Sequence, residues 1–172
     1  LLEIAQERPE KALLPNSFKS LGDVELAFTL DFASFRDLHR HRSAYIPNVI
    51  LTPKGGMHNW YIENLPDSIR QDIKRETHAI FVRLNDALKA DPEIIIELQY
   101  LVPIGFKVPV TVKANIQSLM YILELRSSRH VHQTLRDIIS VAAQRFYSTH
   151  GAYAMHMDEF SDGLDAGRGL QD

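Results

Sequence analysis

The chain is 172 residues long, 45% hydrophobic and 24% charged, which is ordinary globular usage and enough for one domain with a core. A formal net charge of -3 and a pI of about 6.2 provide no global field for nucleic acid. The absence of Cys excludes disulfides and thiol chemistry and fits a cytoplasmic protein, and no apolar run approaches the roughly 20 residues of a membrane span.

The chain opens at Leu1 rather than Met and shows no secretory signal pattern; a fragment and a chain lacking its first residues both fit. Residues 1–15 are mixed and allow a short helix before Pro15. Over 24–32, Val24, Leu26, Phe28, Leu30 and Phe32 alternate with Glu25, Ala27, Thr29 and Asp31, the period of a strand with one covered face. Residues 34–42 read as a short polar helix, and Pro53-Lys54-Gly55-Gly56 as a turn. Residues 66–90 carry the clearest helical period, which predicts that Ile69, Ile73, Ile80, Leu84 and Leu88 face inward. A short helix follows from Asp91 to Leu98. Residues 106–112 alternate Val108, Val110 and Val112 around Pro109, which lacks a donor and so belongs at a sheet edge. Residues 114–126 form a helix, and Ser127 or Ser128 caps another that runs to about His150 and stops at Gly151. Residues 163–172 read as a frayed tail. With no repeat and no linker, the expectation is one α+β domain over 1–172, a mixed or antiparallel sheet flanked by long helices.

Two cationic clusters stand out: Arg36, His39, Arg40, His41 and Arg42, and then Arg126, Arg129, His130, His132 and Arg136. Arg presents a planar fork of donors that suits phosphate and carboxylate. The plain alternative for the first cluster is a solvated basic face. On a helix Arg40 and Arg42 would point about 200° apart and serve different groups. For the second, Arg126 at a helix end complements the helix dipole, while the next helix start and His130 offer an anion site. A metal site at His39/His41 or His130/His132 is rejected, because two-apart His diverge on a helix and no Cys or acidic partner has ligand spacing. Asp158, Glu159 and Asp162 lie in a loop-like tail. No phosphate loop or nucleophile elbow is present.

The segments resemble the flavin-dependent thymidylate synthases. That family's R-H-R-x-x-S-x-N-E-x-S-x-R signature begins here as Arg40-His41-Arg42. Its second stretch, N-x-R-S-L followed by L-R and S-x-A-Q-W-E-I-R, compares with Asn115-Ile116-Gln117-Ser118-Leu119 through Arg126, then His130 through Arg136. The resemblance implies transfer of a one-carbon unit from methylenetetrahydrofolate to deoxyuridylate, with FAD carrying hydride from NADPH. It implies that Arg126 is catalytic and polarises the pyrimidine. Arg40 and Arg126 would bind substrate, and His41, Arg42, Asn115 and His130 would hold FAD. It also implies a homotetramer with shared sites, or a tandem partner domain.

The departures are Tyr45, Pro47, Asn48, Ile50 and Thr52 in the rest of the signature, Asp37 before it, and Gln99 and Gln117 in place of two Arg. They remove hydrogen-bond partners that a polar substrate needs. Two further readings of the resemblance are therefore a non-catalytic structural copy and a flavin or nucleotide binder with altered substrate.

Overall fold

The computed structural model describes residues 2–150 and 156–158. The elements follow in the order α1 (Leu2–Glu7), β1 (Asp23–Asp31), α2 (Phe32–Leu38), α3 (Asn59–Glu63), α4 (Asp67–Ala90), α5 (Ile95–Leu98), β2 (Lys107–Asn115), α6 (Ile116–Arg126) and α7 (Gln133–His150), with short 3-10 turns between them. The architecture is α+β, and β1 and β2 form a two-stranded antiparallel sheet. Among the described residues no helix is long and apolar enough to cross a membrane.

In β2 the predicted alternation holds and extends to Asn115, with Val108, Val110, Val112 and Ala114 buried and Pro109 and Lys113 exposed. Phe106 O accepts from Phe32 N, on the edge that faces β1. Lys107 N instead donates to Gly56 O and Lys113 N to Tyr45 O, on the outer edge. Pro109 has the parity of Lys107 and Lys113, so its missing donor falls on that outer edge, where no ladder bond to β1 is lost.

The first strand ends one residue earlier than the alternation predicts. Asp31 Oδ1 accepts from Ser34 N at 2.9 Å, and this cap starts α2 at Phe32. The helix then stops at Leu38. His41 N bonds Leu38 O and Ala44 N bonds His41 O, both at 3.2 Å. These three-residue turns, not a helix, carry Arg40 to Arg42, so the helical divergence expected of the two arginines does not apply.

The chain divides into two compact units. One comprises Leu1–Phe28, Leu38–Pro47 and Thr111–Asp172; the other comprises Thr29–Asp37 and Asn48–Val110. In the first, α6 is buried almost throughout and packs against α7, whose Leu135, Ile139, Ala142 and Phe146 are buried. The start of α7, expected after a Ser127 or Ser128 cap, also shifts. Its helix begins at Gln133, because the His132 carbonyl accepts from both Leu135 N and Arg136 N, while Ser127 Oγ is engaged by Glu124 O. The expected stop at Gly151 and the tail at 163–172 lie outside the described residues.

In the second unit α4 departs from expectation. Of its apolar stripe only Leu84 is buried, and Ile69 and Ile73 are 44% and 38% exposed. The period is helical, but the N-terminal half of the stripe stays substantially exposed.

Candidate functional site

The candidate site lies in the first unit and is built on α6 and the connection that follows it. Asn115 starts the helix: its Oδ1 accepts from Ser118 N at 3.0 Å, a side-chain cap. Gln117 turns inward, donating through Nε2 to the Leu14 carbonyl. Glu124 is fully buried in the same helix and forms a two-pronged ion pair with Arg8, while its Oε1 accepts from His156 N. A charge on so apolar a helix needs this pairing. It ties segments from both ends of the chain to α6.

Arg126 closes α6. Its Nε donates to Nε2 of His41 at 2.8 Å, and the His41 ring meets Tyr121 edge-on with centroids 6.2 Å apart. The structure thus brings together two residues 85 positions apart that sequence reasoning had singled out. His41 is 8% exposed, and burial, reinforced by the Arg126 charge, lowers its pKa from 6.5 to about 4. It is therefore neutral at pH 7 and acts as an acceptor. Arg40 and Arg42 flank it in the turns and are exposed.

The connection from Ser127 to His132 carries His130. His130 Nδ1 is buried and has no hydrogen-bond partner. His132 caps α7, with Nδ1 2.9 Å from Thr134 Oγ1. Asp158 joins this region by donating its backbone N–H to Ser127 Oγ at 3.2 Å, and its carboxylate pairs with Lys11 at 2.7 Å. Burial works to raise the Asp158 carboxyl, but Lys11 and Arg129 override it and hold it below the ordinary value.

Arg136 lies in the first turn of α7 and is 2% exposed. Its Nη2 reaches back to Gln133 Oε1, its Nε has no hydrogen-bond partner, and no carboxylate pairs with it among the described residues. Gln133 Nε2 is in turn held by Asp137 Oδ1 at 2.6 Å. Desolvating a guanidinium without a counter-charge is expensive, several kcal/mol as an order of magnitude. This side chain also points toward the positive end of an 18-residue helix, which sharpens the imbalance.

Sequence reasoning placed Arg136 in a cluster but missed its burial, and it missed Arg8, Tyr121 and Glu124. A signal for Glu124 was present: it stands between Leu123 and Leu125 in a helix apolar on nearly every side.

No family model matches the chain. It is similar to a UPF0159 protein of Chlamydia pneumoniae, 27% identical over 154 residues, which cover 87% of this chain and 28% of that protein. A UPF0159 protein of Chlamydia muridarum is 30% identical over 138 residues, 78% of this chain and 25% of the relative. A UPF0159 protein of Thermoplasma acidophilum is 28% identical over 129 residues, 73% and 25% respectively. The chain spans about a quarter of the length of the curated relatives it matches.

These relatives overturn the resemblance to flavin-dependent thymidylate synthases, since none bears that name. Thymidylate synthesis, methyl transfer to deoxyuridylate and flavoprotein chemistry fall with it, as do the two readings of a degenerate copy and of a flavin or nucleotide binder. The local physics gives the reason the match misled. Arg40-His41-Arg42 is only three residues long, Asn115 serves as a helix cap, and Gln117 is turned to the Leu14 carbonyl. Gln99, expected at a phosphate-binding position, accepts from Leu51 N through Oε1 at 3.1 Å.

Proposed function

We propose that the start of α7 and the connection before it form a binding site for a small oxyanion, a phosphate or a carboxylate group. Arg136 is the principal recognition group. The observation that carries the proposal is its 2% exposure without a carboxylate partner among the described residues, at the N-terminal turn of a long helix. His130, with its unpartnered Nδ1, supplies a second polar contact, and Arg126 adds positive charge at the other end of the connection. The neutral His41 orients Arg126 by accepting from Nε.

The reading is of a binding site, because what the described residues bring there is donors and positive charge. FAD, raised by the sequence, enters the proposal only as one phosphate-bearing molecule to be titrated.

A second reading takes the anion from protein, as a carboxylate of a second copy, up to a tetramer, or of a tandem partner domain. Tyr100, Leu101 and Ile96, 90%, 68% and 54% exposed, favour association of this kind, as does the greater length of the relatives.

Titration calorimetry with orthophosphate, pyrophosphate, acetate and FAD, run beside light scattering, tests both readings. Saturable binding lost in Arg136→Met supports the oxyanion site. No heat from any anion, together with self-association that Arg136→Met abolishes, moves the assignment to the protein carboxylate. No heat and no such association removes both.

A further inference from the structure

A cavity of about 300 Å3 opens in the second unit, against one face of α4. Its apolar lining comes from Met57, Ile62, Phe81 and Phe106, the last fully buried. Lys74 and His78 stand together at one side, four residues apart on α4 and therefore on one helical face. The volume is at the lower end of small-molecule pockets, roughly 300–1,000 Å3, and an apolar wall with a few convergent polar groups is their usual composition.

The charge pattern of α4 points to the ligand's sign. Arg70 pairs with Asp67, Arg75 with Asp72 and Lys89 with Asp86. Lys74 has no carboxylate partner among the described residues, although it lies between Asp72 and Arg75 in sequence and lines the cavity. The ring pattern points to shape. His78 and Phe81 lie near-parallel, 21° between planes and 6.1 Å between centroids, so a flat ring entering beside them meets an aromatic wall. The loop is fixed across the cavity. Gly56, at φ +63°, donates to Pro53 O and accepts from Lys107 N, and a Cβ on Gly105 would crowd the Met57 sulfur. Met57 thus keeps its place because Gly105 has no side chain.

From this geometry we infer that the cavity binds a small aromatic carboxylate, the ring among Met57, Ile62, Phe81 and Phe106 and the carboxylate at Lys74. The site is independent of the oxyanion site at α7, which lies in the other unit. Ring burial supplies affinity, since apolar area removed from water is the main favourable contribution. Lys74 supplies the preference for an anion; its exposure limits that preference to about three- to fivefold.

The test uses the full chain and two probes of equal shape, 2-naphthoate and neutral 2-naphthamide, followed by amide chemical shifts. The expected result is saturable movement of the Met57 and His78 amides with naphthoate and a three- to fivefold weaker response to naphthamide. Lys74→Gln is at the surface and should keep the wild-type melt while erasing the difference between the probes. Three outcomes overturn the inference. The first is no shift at millimolar naphthoate. The second is equal affinity for acid and amide in the wild type. The third is probe-free shifts that depend on protein concentration at these residues, which would give the cavity to a second copy of the chain.

Discussion

Acidification should unfasten His41 from Arg126, and the loss can be worked out from the structure. The His41 pKa is lowered from 6.5 in the unfolded chain to about 4 in the folded one. Between those values the unfolded state holds more proton, so stability rises with pH across the window. The contribution is complete above pH 6.5 and is lost as pH falls. It amounts to under about 1 kcal/mol lost at pH 6, about 2 kcal/mol at pH 5 and about 3 kcal/mol at pH 4, relative to neutral pH. Other groups titrate too, so the measured quantity is a difference. Urea unfolding of the wild type and of His41→Gln is compared at pH 7, 6, 5 and 4. Gln keeps an acceptor for Arg126 Nε and cannot be protonated in this range. The wild type should lose about 2 kcal/mol more than the variant between pH 7 and pH 5. Parallel curves for the two proteins would refute the reasoning, because they would mean His41 titrates as freely in the folded chain as in the unfolded one.

Glu124→Gln leaves Arg8 buried without its charge partner and should destabilise by about 3–5 kcal/mol in urea unfolding; a change below about 1 kcal/mol would show that the pair is dispensable. Gly55→Ala places a Cβ against the Lys107 carbonyl oxygen, which is backbone and cannot swing away. A loss of about 1–3 kcal/mol is expected in thermal or urea unfolding, and a neutral result would mean the loop slides off β2 at little cost.

The sequence was most legible where one periodicity governs a whole element. Alternation found β2 and most of β1, and the helical period found α4, α6 and α7, because those signals report which face is covered. Boundaries were lost where a single polar atom decides. Asp31 starts α2 at Phe32, and the His132 carbonyl moves the start of α7 to Gln133. Ile69 and Ile73 show a second limit: period tells which residues share a face, but not whether anything covers it.

The site was legible in part. Arg/His clustering singled out His41 and Arg126, which hydrogen-bond, and the segment holding His130 and Arg136. It gave no hint that Arg136 is buried, because burial of a long cationic side chain depends on what packs around it. Family-like spacing misled for the same reason. Asn115 and Gln117 fill matching or near-matching positions, yet their side chains serve the cap and the Leu14 carbonyl.

The central claim, an oxyanion held at Arg136, is tested most directly by thermal unfolding of the wild type and Arg136→Met, with and without pyrophosphate at matched ionic strength. Without pyrophosphate the variant should be at least as stable as the wild type, because a buried charge with no carboxylate partner among the described residues has been replaced by an apolar side chain of similar reach. Pyrophosphate at about 100 times its dissociation constant should stabilise the wild type by about 2.7 kcal/mol and leave the variant unchanged. A wild type indifferent to pyrophosphate, orthophosphate and acetate alike, or a variant stabilised as much as the wild type, would contradict the account.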